Sequence, residues 1–476
     1  MDQTTRNFTD WLLLNGAKFD KVKWPSTNIL TNIRGATAIT DINTNEYILE
    51  IPKKLMISPV HAYNSEIGKY LAENKDVIRG DSVLALYLMY ERIKGESSFY
   101  YPYLQILPSP GTIAEWTQNQ LLQLQDDGIV LRARRKKLQV FTLYTQCVIP
   151  LCEKYPEIFS LEDYSSKNFE FCWYSIQARA FGRRLPWSAM VPFADCLNHS
   201  NVQTKYDFDI DSNDYFRLFP TGSNNYKAGT EVYNSYGRRH NENLLLDYGF
   251  AMLDNEWDHV SISLKLPVSD SYDRKATILL SLGFNPSIME FKIFGNDYIP
   301  HDALKYLRIV ALDEIELEYI ESCIENFDND EITNYKKNIN ILLQEIVTVK
   351  NEMNVLNLLS VELNDMIIRR ITTTEIDETL LKELNRKNST HDDGNSDDND
   401  WRIKCSIIYR LTRKHIIDSL YCKVLALKIF LDISFNKQEA YESIDLYKIC
   451  SLCDKTHASF DDYARCFKKK ELLLHL

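Results

Sequence analysis

The sequence predicts an α+β fold in which short β-sheets are interrupted by a helical insertion and followed by an all-α C-terminal domain. Three observations carry this prediction. Period-two alternation occurs near the start, at Ile33, Gly35, Thr37 and Ile39, and returns only from about Met190. Between these stretches apolar residues recur at three- and four-residue spacing. After Pro267 that helical spacing runs almost to the end. A chain of 476 residues exceeds what one core holds, so it is divided into segments. Residues 1–94 and 186–266 form the β-rich domain, 95–185 its helical insertion, and 267–476 the helical domain.

The elements follow in order. F-T-D-W-L-L-L (Phe8–Leu14) is a short amphipathic helix ended by Asn15-Gly16. I-L-T-N-I-R-G-A-T-A-I (Ile29–Ile39) reads as a strand, with Gly35 where backbone must approach closely. E-Y-I-L-E-I (Glu46–Ile51) is its expected antiparallel partner, stopped by Pro52. Ser82–Ile93 is a helix with Ser82 as cap, and Ala114–Gln146 and Asp163–Ala180 are further helices. Lys205–Asp211 and Tyr215–Phe219 alternate as a hairpin turning at Ser212–Asp214. Glu231–Tyr236 is another strand, Glu242–Tyr248 a helical turn, and Val260–Leu266 a last strand. Ala303–Asn326, Glu331–Val355, Leu356–Asn385 and Trp401–Phe435 are helices. Asn388–Asp400 is acidic, has no hydrophobic content and is expected to be disordered.

Composition excludes several classes. Hydrophobic and charged contents of 45% and 26% are those of a globular protein, and no apolar run reaches membrane-spanning length. The polar start Met1–Asp10 lacks a secretory pattern, which leads to an expectation of the cytoplasm, with the nucleus as a second compartment. A net charge of −12 argues against direct nucleic-acid binding; it suits a basic macromolecular partner, or serves solubility alone. The ten cysteines read as reduced, buried thiols. C-S-L-C-D-K-T-H (Cys450–His457) with Cys466 holds zinc-type donors, but its spacing fits no standard finger and fits one helix face, so no metal is expected. The basic run R-A-R-R-K-K (Arg132–Lys137) is read as a solvated helix face.

The residues with chemistry gather between Val191 and Phe250. Asp195, Asn198 and His199 stand at i, i+3 and i+4, and would share a face if helical. An Asn-His pair can present an amide and a ring to a heterocycle; an Asx-capped turn is the other reading of this pattern. Tyr233, Tyr236 and Tyr248 can surround a cation or an amine with negative ring faces and accepting hydroxyls, or can be ordinary packing.

The ordered series R-G-A-T-A, N-H-S and Y-x-x-Y-G, joined by Q-A-R-A-F (Gln177–Phe181), L-D-Y-G-F (Leu246–Phe250) and Y-R-L (Tyr409–Leu411), resembles the SET-domain methyltransferases. The helical insertion and helical C-terminal module resemble the subgroup of the Rubisco large-subunit and fungal ribosomal lysine methyltransferases. That resemblance implies a SET domain followed by a substrate-binding domain, S-adenosylmethionine as cofactor, and methylation of a protein lysine. It implies that Arg34, Gly35, Ala178, Asp195, Asn198, His199 and Tyr236 bind the cofactor. Arg179, Phe181, Arg183, Tyr206 and Tyr248 would border the lysine, with Tyr236 and Tyr248 catalytic. Where the family has Gly-x-Gly, Ile33 here replaces the first glycine. The expected partner is a basic ribosomal or translation protein, met by a monomer. A non-catalytic SET-fold docking scaffold and a protein-histidine methyltransferase are the alternatives.

Overall fold

The computed structural model describes residues 2–27, 34–182, 184–208, 215–295, 299–325, 343, 347–390 and 398–436. They fall into two compact units, Met1–Asn255 with Thr379–Tyr409, and Glu256–Glu378 with Arg410 onward.

The first unit holds the sheets that frame the chemical residues. Arg34–Ala38 is the middle strand of three, flanked antiparallel by Val22–Thr27 and Glu231–Val232. Leu49–Pro52 instead pairs with Tyr215–Pro220, whose other neighbour is Thr204–Phe208. The expected pairing of Ile29–Ile39 with Glu46–Ile51 is therefore replaced. The strand that takes its place contains Pro25, and its register shifts between Lys23 and Ser26. A proline cannot donate to a ladder, so V-K-W-P-S-T carries no clean strand signal. The expected hairpin does form, with Tyr206 opposite Leu218. Its turn, 212–214, lies outside the described residues. Glu231–Tyr236 shortens to Glu231–Val232, after which Asn234 forms a parallel bridge to His199.

The insertion is helical but more divided than its spacing predicts. Ala114–Gln146 is not one helix: Thr117 and Gln120 form a capping box on Gln118–Leu122. Asp126 then accepts from the Gly128 and Ile129 N–H groups and starts Asp127–Leu143. Each cap satisfies amides that a continuous helix would have bonded internally. Ser82 is not a cap either, since Asp81–Ile93 begins after Gly80 at φ 59°. Leu84, Leu86 and Leu88 of that helix pack with Phe169 and Tyr174 of Ser166–Arg179 in one core. Burying each such side chain contributes roughly 1.5–3 kcal/mol.

Among its described residues the second unit is helical apart from one ladder. His259–Leu264 pairs along its length with Met289–Phe294, so the strand expected to close the first domain belongs to this unit. Val260, Ile262 and Leu264 face a core shared with Ala303, Leu307, Leu356 and Leu359. A buried Arg308 guanidinium reaches both Glu352 oxygens, at 2.8 and 2.9 Å, and links two of the helices. Residues 388–390 of the expected acidic loop are helical, within Thr374–Thr390, and 398–400 begin Asp398–Asn436. Residues 391–397, like the Cys450–Cys466 cluster, lie outside the described residues. Among the described residues no helix is long and apolar enough to cross a membrane, and no three side chains form a metal-binding group.

Candidate active site

The Asp-x-x-Asn-His segment is not helical, and its three side chains diverge. Buried Phe193 turns the chain at φ 75° and stacks on Phe19 at 4.2 Å. A single turn, Ala194–Cys196, follows, and Leu197 is extended at ψ 131°. Positive φ is costly for a bulky residue, so surrounding packing must enforce it. This backbone sends Asp195 inward and Asn198 and His199 in two other directions.

Asp195 is expected beside the cofactor, yet its carboxylate is fully buried and used internally. Its Oδ2 accepts from the Tyr103 hydroxyl at 2.7 Å and from Arg179 Nη1 at 3.1 Å. The same guanidinium nitrogen donates to the Asp195 carbonyl at 2.9 Å. Burial raises the Asp195 pKa, while Arg179 and Tyr103 pull it down. Two donors converging on one oxygen are the partners of a carboxylate, so Arg179 is held by an ion pair.

Asn198 joins three motifs that are distant in sequence. Its Nδ2 donates to Glu231 Oε1 at 2.8 Å and to the Arg34 carbonyl at 3.3 Å. Glu231 Oε2 accepts from the Tyr233 hydroxyl at 2.9 Å. Gly35 sits against this pair: a Cβ there would lie 2.5 Å from Glu231 Oε1 and 2.8 Å from Asn198 Nδ2. The glycine is thus required by close approach. Arg34 offers backbone here, because its guanidinium lies 4.9 Å over the Trp24 ring and donates to the Ile106 carbonyl at 3.2 Å. Ile33 lies outside the described residues.

His199, Tyr236, Tyr248 and Phe250 form an aromatic group. The His199 and Tyr236 rings stack at 4.9 Å and 18°, and Tyr236 meets Tyr248 at 4.8 Å and 32°. Phe250 lies 6.4 Å from Tyr236 and 6.2 Å from Tyr248. Tyr236 donates its hydroxyl to the Leu197 carbonyl at 2.8 Å. Its backbone N–H donates to His199 Nδ1 at 3.1 Å, closer than the Asn234 carbonyl at 3.3 Å from the same nitrogen. An accepting Nδ1 leaves the proton of the neutral ring on Nε2. That Nε2 is buried and has no hydrogen-bond partner among the described residues. Burial lowers the His199 pKa, which keeps the ring neutral. Burial raises the pKa of both phenols, Tyr236 and Tyr248, so they are uncharged near pH 7.

Phe181 and Tyr206 are brought together, at 5.3 Å and 86°, and both pack on Phe216. Tyr206 accepts from the Arg184 backbone N–H at 3.3 Å. Half-buried Ala178 precedes Arg179 on the helix and supplies only a methyl. Arg183 lies outside the described residues. Sequence reasoning missed Tyr103, Glu231, Asn234, Phe216 and Phe250 as participants. Glu231 and Phe250 sat inside the motifs already singled out, so a search for an acid and an aromatic flanking those tyrosines would have found them. Tyr103 is 92 positions from Asp195 and carries no local signal.

An orphaned, buried imidazole donor suits a polar heteroaromatic ligand, and neutral phenols in ring contact suit an amine. The comparisons agree with this chemistry. The SET domain model matches residues 34–237, and the model described as Rubisco LSMT substrate-binding matches 267–417. The chain is 30% identical over 339 residues to the chloroplastic Rubisco large subunit N-methyltransferase of Pisum sativum, covering 68% of this chain and 66% of that protein. It is 28% identical to the chloroplastic fructose-bisphosphate aldolase-lysine N-methyltransferase of Arabidopsis thaliana, covering 68% of each. It is 27% identical to the actin-histidine N-methyltransferase of Homo sapiens, over 63% of this chain and 53% of that one. The crystal structure of the SET domain of LSMT bound to lysine and AdoHcy superposes with a TM-score of 0.65 at 25% identity, covering 95% of this chain and 100% of that one.

Proposed function

Because the chain belongs to the SET-domain family that carries a Rubisco LSMT substrate-binding region, we propose that it is an S-adenosylmethionine-dependent protein-lysine N-methyltransferase. We propose further that its substrate is a basic ribosomal or translation protein, which the net charge of −12 would attract. The observation that carries the reading is the Tyr236 arrangement: a neutral phenol fixed through Leu197, stacked on His199 and meeting Tyr248 at a tilt.

When bound, S-adenosylmethionine supplies a methyl group activated by its sulfonium sulfur. Asn198, the Gly35 cradle and the His199 Nε2–H would hold it. Tyr236 and Tyr248 would orient the lysine amine, with Phe181 and Tyr206 flanking the side chain. Transfer is an in-line displacement, so collinear placement contributes a large part of the rate. A lysine amine with an ordinary pKa of about 10.4 must lose a proton before it attacks. An aromatic, water-poor surrounding favours that neutral form. Tyr236 cannot serve as a phenolate base, since burial opposes its ionisation. With its hydrogen given to Leu197, its oxygen lone pairs remain to accept an amine N–H.

The test is transfer of label from methyl-labelled S-adenosylmethionine into an extract of cells lacking this protein. Wild type is expected to label a basic protein on lysine, and Tyr236→Phe to lose that labelling. The relative named for actin-histidine supports a second reading, and label on histidine would establish it. Absence of both label and calorimetric cofactor binding would leave a docking scaffold.

A further inference from the structure

The basic run Arg132–Lys137 is not simply a solvated face. Arg132 Nη1 pairs with Glu242 Oε1 at 2.9 Å. Lys136 Nζ pairs with Asp247 Oδ1 at 2.8 Å and donates to the Leu246 carbonyl at 2.6 Å. Arg132 and Lys136 lie one turn apart on Asp127–Leu143, and their partners lie near the two ends of Asn241–Tyr248. One contact would let a short helix pivot; two, a turn apart, fix its rotation as well.

The Leu246 carbonyl needs this donor. The helix ends at Gly249, whose N–H goes to the Leu244 and Leu245 carbonyls and not to Leu246. Terminal carbonyls lack intrahelical partners, and a cation at that end also opposes the partial negative charge of the helix terminus. The Lys136 side chain is 16% exposed and lies 5.9 Å from the ring centre of Tyr174, on the helix that ends in Arg179. The residue directly after Asp247 is Tyr248, packed on Tyr236 at 4.8 Å.

We propose that Lys136 is a positioning residue that sets where the Tyr248 phenol stands, so that the helical insertion acts on the active site. The proposal rests on the reading of Tyr248 as a residue bordering the methyl-accepting amine. A groove lined by Arg132, Arg135, Lys136, Trp173, Leu246 and Asp247 runs beside the contact. Water can therefore reach the Leu246 carbonyl once the amine is removed, and Lys136→Met loosens the helix end instead of leaving a dry orphan.

The test uses the full chain with 3-fluorotyrosine at position 248 alone. In Lys136→Met the fluorine resonance is expected to shift or broaden; in Lys136→Arg it returns toward wild type, and in the exposed neighbour variant Lys137→Met it is unchanged. Methyl transfer into the knockout extract is expected to fall about 10–100-fold in Lys136→Met, with calorimetric S-adenosylmethionine affinity within about twofold of wild type. An unaltered resonance, or unaltered transfer with an altered resonance, overturns the proposal. If wild type transfers no methyl, the methyltransferase reading fails while the resonance still decides the positioning. Asp247→Asn, which leaves the Leu246 contact in place, is measured in the same way should Lys136→Met not fold.

Discussion

Tyr236 touches His199 twice: its backbone N–H donates to Nδ1 at 3.1 Å, and its ring stacks on the imidazole at 4.9 Å. The last motif of the SET segment therefore sets the tautomer of the histidine 37 positions before it. The side proposed for the cofactor and the side proposed for the amine share one stacked pair.

Tyr236→Phe keeps that stack and removes only the hydroxyl given to Leu197. Losing one buried hydrogen bond costs about 1 kcal/mol of stability, a small shift in a urea midpoint. Methyl transfer is expected to drop about 100-fold or more, since orientation of the amine is lost. Calorimetric cofactor affinity is expected to change little, and loss of folding in place of loss of rate would contradict the assigned role.

His199 predicts a specific acid sensitivity. Burial, with Arg239 adding to it, holds its pKa below the ordinary 6.5, and the Asn234 carbonyl only partly offsets this. The unfolded chain then binds a proton that the native chain refuses, so stability is full above pH 6.5 and falls as pH drops through the lowered value. Cofactor affinity is expected to fall over the same range. Denaturant midpoints between pH 7.5 and 5 measure this, and His199→Asn, which cannot titrate, is expected to flatten the curve. An unchanged slope would mean that other groups dominate it.

Gly35 tests the cradle. A Cβ at this position needs Glu231 to retreat, but both Glu231 oxygens are engaged, by Asn198 and Tyr233. Overpacking of this kind costs about 1–3 kcal/mol. The dissociation constant for S-adenosylmethionine is therefore expected to rise about tenfold or more in Gly35→Ala. Adding Glu231→Ala is expected to recover part of the folding loss, since Asn198 Nδ2 still lies 2.8 Å from the added Cβ, but not the affinity, because Asn198 then loses its anchor. Calorimetry on the two variants separates the effects.

The fold was legible where periodicity is strong and obscure where tertiary contact overrides it. The hairpin of Tyr206 and Phe216 followed from alternation alone. The partner of Arg34–Ala38 did not, because Pro25 hides a strand that tolerates a register shift. Met289–Phe294 was missed as a strand because its apolar positions sit inside a long helical context. At the site, the order of the motifs located Asn198, His199 and Tyr236 together. Their directions were not legible, since a left-handed Phe193 and one short turn replace the helix that the Asp195–His199 spacing suggests. The two cations among Arg132–Lys137 that engage Glu242 and Asp247 looked solvated for a similar reason: their partners are about 110 positions away.

Asp195 yields the sharpest stability prediction. Its carboxylate is fully buried, and Arg179 is 20% exposed, so Asp195→Asn leaves a mostly buried cation without its counter-charge. Breaking such a pair costs about 3–5 kcal/mol. Tyr103→Phe removes a single hydrogen bond to the same Oδ2 and is expected to cost about 1.5–3 kcal/mol, since that bond is to a charged group. Both are read from urea denaturation at pH 7. Pairing Asp195→Asn with Arg179→Met removes the cation as well and is expected to recover part of the loss. If the losses of Asp195→Asn and Arg179→Met simply add, the Asp195 carboxylate is not what holds Arg179, and the guanidinium is placed by its helix and by the Asp195 backbone carbonyl.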